Sequence, residues 1–305
     1  MNKIKLWLRL SRAHYTPVII LPVILGGLLA LYHRNTFNIW FFLIALIGSF
    51  FAHLGANTVN DYYDYRSGVD DLAESRKSPD FGGSGVLTEK LMKPEIALAG
   101  AIVMFAVAFL AGIILTFLKG YFIIILALIG FFLGFFYVAP PVKFGYIGHG
   151  LGELAIFFAF GPIPVIGSYF VQTGELSIIP LLGSIPPGIY TVSILFNHHF
   201  THFRGDKKGG KMSPVVILGE SKARIISWGL FILSYLSIII NILLKIYPVW
   251  ALVSFLSIPS LLKTFLSLKK TNELKKYMQL TGDVAKGNFL TGFILNLSIL
   301  LVALT

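Results

Sequence analysis

The chain has 305 residues, 56% of them hydrophobic and 13% charged, with a mean hydropathy of +0.79 and a formal net charge of +11. A soluble domain carries nearer a quarter charged residues, so this composition excludes an ordinary soluble protein. There is no cysteine, which excludes disulfides, a thiolate nucleophile and a cysteine metal site.

Read in chain order, residues 1–12 form a basic amphipathic lead-in, with no cleavable signal peptide evident. Apolar stretches then recur at transmembrane length over 15–33, 38–60, 96–117, 121–139, 151–172, 179–200, 223–244, 247–267 and 288–304. The fold class expected is an all-α integral membrane protein of nine transmembrane helices in a single membrane-embedded domain. Between the spans, connections 61–95, 201–222 and 268–287 are long, and the intervening ones are short. Long connections in a compact protein are usually functional or disordered.

Charge separates the two sets of connections. Arg34, Lys119, Lys245 and Glu175 fall on one side, and nearly every other charge falls on the other. This is the positive-inside pattern, and it predicts a multi-pass protein of the cell membrane with its N-terminus and long loops in the cytoplasm. The basic excess is then mostly topological, and no nucleic-acid partner is expected.

Two polar motifs interrupt the apolar pattern. The first follows span 2. His53, Asn57, Asn60, Asp61 and Asp64 recur at spacings of three and four, which places them along one side of a helix. Such carboxylates and amides beside a bilayer need a charge partner or a cation, and hard oxygen ligands suit magnesium. The plain alternative is a solvated helix end with a polar cap. The second motif follows span 6, where His199, His202 and Asp206 share a helical face and Lys207, Lys208 and Lys211 come next. Its plain alternative is a cytoplasmic loop with topological lysines. One motif after span 2 and one after span 6 suggest two four-helix halves plus one helix.

Asn60-Asp-Tyr-Tyr-Asp64 resembles the first aspartate-rich motif of the UbiA superfamily of intramembrane prenyltransferases. Within it, the run from Asn60 to Asp70, the glycine-rich stretch from Phe81 to Glu89, the segment from Tyr137 through Lys143 to Tyr146 and on to Glu153, and Gly205 to Gly219 are similar to the 1,4-dihydroxy-2-naphthoate prenyltransferase branch. The resemblance implies a central cavity open toward the membrane for a prenyl tail. It implies Mg2+ held by Asn60, Asp61, Asp64, Asp70 and Asp206, with Asp61, Asp64, Asp206 and Lys143 carrying the catalysis. Arg12, Tyr137, Lys143, Arg204, Lys207 and His202 would bind diphosphate, with Asn57, His199 and Lys211 as further candidates. The family's second motif usually has an aspartate where this chain has His202.

The expected function is transfer of a prenyl group from a polyprenyl diphosphate to an aromatic quinone precursor, with the lipid bilayer as the working environment. Two alternatives stand beside it: transfer to a non-aromatic glycerol-phosphate lipid, and a cation or proton transporter using the histidines and aspartates as a relay.

Overall fold

The computed structural model describes residues 2–68, 83–268 and 274–305. Among them there is no strand. The helices are α1 (Lys3–Leu10), α2 (Pro17–Arg34), α3 (Ile39–Ser67), α4 (Pro94–Lys119), α5 (Phe122–Phe135), α6 (Phe144–Ile147), α7 (Leu151–Phe160), α8 (Pro162–Thr173), α9 (Ile178–Gly183), α10 (Ile185–Lys208), α11 (Pro214–Leu243), α12 (Ile258–Ser267) and α13 (Leu274–Ala303). A 3-10 segment, Val249–Ser257, leads into α12.

Eight segments among the described residues are long and apolar enough to cross a membrane. The expected fourth span, 121–139, forms only the 14-residue helix α5. At 1.5 Å per residue α5 is about 21 Å long, short of a hydrocarbon core of about 30 Å. Two spans are each built from two α-helices. The fifth bends at Gly161 and the sixth at Ser184. The bends abut: a Cβ on Gly161 would meet the Ser184 carbonyl oxygen and the Cα of Gly188, so only glycine lets these backbones approach.

The expectation that 201–222 and 268–287 are long loops is corrected. Helix α10 continues through the second motif to Lys208, α11 begins at Pro214 rather than 223, and α13 begins at Leu274 rather than 288. Polar residues lower the hydropathy of these turns without removing their capacity for helix. Thr264 donates to Asp283, one of the bonds that holds the polar start of α13 in place.

The helices close into a ring. Each of α3, α4, α5, α7 and α10 packs on the next in this series, ending at α11; the 3-10 segment bridges α11 and α13, and α13 packs on α10 and returns to α2, which packs on α3. One half of the ring is solid, with Leu29, Tyr169, Ile194, Phe196, Tyr235 and Ile238 in its shared core. Between this core and helices α3, α4 and α5 lies a chamber whose wall also takes in residues of α2, α7, α8 and α10. The two motif helices, α3 and α10, thus both contribute to the wall of one chamber.

The far end, opposite the motifs, is laced shut by polar contacts. Arg34 pairs with Glu175 at 2.9 Å, the Asn38 amide donates to Gln172, and the Gln172 side chain donates back to the Asn38 carbonyl. His33 meets the Ile246 carbonyl oxygen at 2.9 Å.

Candidate active site

The chamber has a volume of about 340 Å³ and two tiers. The tiers follow from helix lengths. Helix α3 has 29 residues and is about 44 Å long, so its last turns run past the apolar zone. Those turns carry Asn57, Asn60 and Asp64 into the chamber wall. The last turns of α10 carry His198, His199, His202 and Asp206 into the same wall. Arg12, Tyr137 and Lys211 complete this polar mouth. Below it, Phe105, Phe109, Phe131 and Phe160 give way to a floor at Leu115, Ile123 and Val171.

Asp61 stands apart from this set. One residue beyond Asn60, it is turned about 100° around the helix, and it does not line the chamber. Its Oδ1 accepts from Arg12 at 2.5 Å and its Oδ2 from the Ser84 backbone N–H at 2.9 Å. Ser84 is itself held by Arg9, which bonds its carbonyl at 2.7 Å and pairs with Glu89. Asp61 therefore ties the end of the glycine-rich stretch to Arg12. Arg12 has a left-handed backbone (φ 49°) that aims its guanidinium at Asp61 and Asn60.

Asp64 is buried and accepts from the Tyr146 hydroxyl at 2.6 Å. Tyr146 also gathers the nearby cations. Lys143 Nζ and Lys211 Nζ lie 5.5 and 5.2 Å from its ring centroid. The Met212 N–H donates to the Tyr146 carbonyl, which ties the loop after α10 to α6. Tyr137 shares the mouth with Asp64 and Asp206. Its phenol hydroxyl can donate a hydrogen bond there.

Asp206 is 3% exposed, and its Oδ2 has no hydrogen-bond partner in the protein. His199 Nδ1 is 3.9 Å from that oxygen, and His199 Nε2 bonds Glu153 at 3.0 Å. A buried carboxylate oxygen without a donor is held at a cost of about 1–3 kcal/mol or more. A bound cation would satisfy it. Among the described residues no three His, Asp or Glu side chains form a metal cluster by themselves. Magnesium is commonly bound by one or two carboxylates, with water and substrate phosphate supplying the other oxygens. Asn60, Asp64 and Asp206 fit that requirement.

The remaining expected residues fall as follows. Asn57 bonds the Ser11 carbonyl and His53. His202 lines the mouth with its ring 4.4 Å from that of His198. Lys143 is half-buried behind Tyr146 and does not line the chamber. Arg204 and Lys207 are exposed on the outside of α10 and do not line it either. Asp70 lies outside the described residues. Tyr146 and Glu153 were only parts of a quoted motif; their contacts reach across 82 and 46 positions, which no local pattern reveals.

Known proteins share the family and the fold of this chain. The chain is 26% identical over 296 residues to the 1,4-dihydroxy-2-naphthoate octaprenyltransferase of Bacillus subtilis, covering 97% of this chain and 92% of that one. It is 30% identical over 220 residues to the 2-carboxy-1,4-naphthoquinone phytyltransferase of a Synechocystis species, covering 70% and 66%. Its fold matches a UbiA homolog from Archaeoglobus fulgidus bound to GPP and Mg2+, with a TM-score of 0.62 at 17% identity over 94% of this chain and 98% of that one. A digeranylgeranylglyceryl phosphate synthase structure matches with a TM-score of 0.66 at 16% identity over 98% and 99%. The model of the UbiA prenyltransferase family matches residues 19–285, and the chain belongs to that family.

Proposed function

We propose that this protein transfers a prenyl group from a polyprenyl diphosphate to an aromatic acceptor of the 1,4-dihydroxy-2-naphthoate kind, in quinone biosynthesis. The observation that carries the reading is the two-tier chamber, which runs about 30 Å along α3 from Asp64 to Ile44: acids, amides and cations at one end, and below His53 an almost wholly apolar bore from Ala52 to Ile44. A diphosphate fits the first tier and an isoprenoid tail the second. The naphthoate and naphthoquinone relatives favour an aromatic acceptor over a glycerol-phosphate lipid.

Asn60, Asp64 and Asp206 would hold magnesium, which supplies charge neutralisation to the leaving diphosphate. Arg12 and Lys211 add fixed positive charge at the mouth, where negative charge grows as the allylic C–O bond breaks. Tyr137 offers a donor to the same oxygens. Tyr146 keeps Asp64 in place through its hydroxyl. The apolar tier excludes water from the allylic cation, and phenylalanine ring faces along it favour positive charge. The electron-rich acceptor ring then attacks the allylic carbon and loses a proton or its carboxylate.

The one-sided charge distribution supports a cell-membrane protein with its motif end in the cytoplasm. The native chain lacks cysteine, so single cysteines at Lys208 and Leu176 should label from opposite sides of right-side-out vesicles. The test of function is mass spectrometry of products after purified protein is given mixed prenyl diphosphates and candidate acceptors with Mg2+. A prenylated naphthoquinol precursor with equimolar diphosphate is expected. Diphosphate release that ignores the aromatic acceptor, or none at all, would sink the reading.

A further inference from the structure

His53 sits at the junction of the two tiers, one turn below Asn57 on α3 and 6% exposed. Its hydrogen bonding fixes its chemical form. The Asn57 amide nitrogen lies 3.1 Å from the Ser11 carbonyl oxygen, which can only accept, so this end of Asn57 is its NH2 group. The same nitrogen lies 3.1 Å from His53 Nε2. Its second hydrogen therefore points at that ring nitrogen, which must accept. The ring is then neutral with its proton on Nδ1. His53 Nδ1 is buried and has no partner in the protein. Phe160 meets the ring edge-on, with centroids 5.5 Å apart, and holds its orientation.

A buried N–H donor at the wall of a ligand chamber needs an acceptor from whatever fills that chamber. A prenyl tail has none. The diphosphate belongs with Asp206 and with Asn60 and Asp64, which lie about two and three turns nearer the mouth along α3. The aromatic substrate must present its ring at the allylic carbon, which is the junction of the two tiers, and that substrate carries oxygens.

We infer that His53 binds the aromatic acceptor, donating its Nδ1–H to an oxygen on the acceptor ring and so fixing which ring face meets the allylic carbon. This rests on the prenyl-transfer reading above. His53 takes no proton in this role. It is a positioning and specificity residue, and Asn57 acts through it by holding the tautomer.

The test uses the full-length protein in detergent with Mg2+, the parent beside His53→Phe and His53→Gln. Phenylalanine keeps an aromatic ring of similar shape without the donor, and glutamine restores an N–H. Binding is measured by titration with 1,4-dihydroxy-2-naphthoate and with two analogues, one lacking the carboxylate and one lacking a hydroxyl. Losing the contact should weaken acceptor binding and raise the acceptor KM by about tenfold to a hundredfold, leaving the prenyl-diphosphate KM within about twofold. His53→Phe should also erase the parent's preference for the full acceptor over one analogue, and His53→Gln should restore part of it. If the parent transfers prenyl groups but His53→Phe keeps both preferences and its acceptor KM, the inference falls and the function stands. If the parent transfers nothing to any aromatic acceptor, it is the function that fails.

Discussion

Replacing Asp61 with asparagine should damage the fold more than the metal chemistry, and replacing Asp64 should do the reverse. The two carboxylates are buried and lie within one turn of each other, but their surroundings differ. Asp61 is closed off by Arg12 at one oxygen and the Ser84 N–H at the other. Asparagine can accept only one of those bonds, and it turns an N–H toward the other donor. Breaking a buried ion pair costs about 3–5 kcal/mol. The Arg12 side chain is 24% exposed, and asparagine keeps one bond, so the expected loss is about 2–3 kcal/mol. Unfolding in detergent micelles, followed by denaturant or heat, measures it. The prenyl-diphosphate KM should rise about tenfold as Arg12 loses its anchor, equivalent to about 1.4 kcal/mol, with the Mg2+ midpoint unmoved. For Asp64→Asn the carbonyl oxygen still accepts from Tyr146, so stability should fall by no more than about 1 kcal/mol. Its Mg2+ requirement should shift by an order of magnitude or more, or activity should vanish. Equal Mg2+ shifts in both variants, with Asp61→Asn as stable as the parent, would refute the division of labour.

Tyr146→Phe removes the hydroxyl that holds Asp64 but keeps the ring between Lys143 and Lys211; kcat should fall by about tenfold, from a charged hydrogen bond worth about 1.5–3 kcal/mol partly replaced by water, and a Mg2+ titration should show a weaker midpoint. His202→Asp should tighten the Mg2+ midpoint, since magnesium prefers carboxylate oxygen to imidazole. His202→Ala should raise the diphosphate KM without removing the Mg2+ requirement; identical titrations in the parent and both variants would leave His202 with only a packing role. Gly167→Phe should shorten the longest tail accepted, read from products of mixed prenyl diphosphates. An added Cβ there meets only Leu126 at 3.5 Å, so Gly167→Ala should behave as the parent.

The sequence revealed the apolar spans and both motifs because these are local patterns. It could not tell Asp61 from Asp64. Spacings of three and four connect 57, 60, 61 and 64 in more than one way, and which edge of that stripe faces the chamber depends on Arg12 and Ser84, 49 and 23 positions away. Polar composition made 201–222 and 268–287 look like loops, whereas helix α10 needed its extra turns to bring Asp206 into the chamber wall that also holds Asp64. Arg204 and Lys207 lie next to Asp206 in sequence, but the helix turns them to its exposed side, away from the chamber wall. His53 was legible as part of the stripe, and its unmet donor became visible only with Asn57 and Ser11 in place.

The laced far end has a bioenergetic consequence. A membrane protein with so many polar groups at one mouth would dissipate an ion gradient if water could continue through it. Here the far half of the chamber lining is carbon apart from Ser49 and Ser168, and it stops at Leu115, Ile123 and Val171 beneath the Arg34–Glu175 and Asn38–Gln172 contacts. An ion entering from the mouth would shed its hydration in an apolar dead end, which opposes a drive of about 2.3 kcal/mol per charge per 100 mV. The protein can thus hold a charged substrate at one end of a membrane-spanning bundle without opening a path through it.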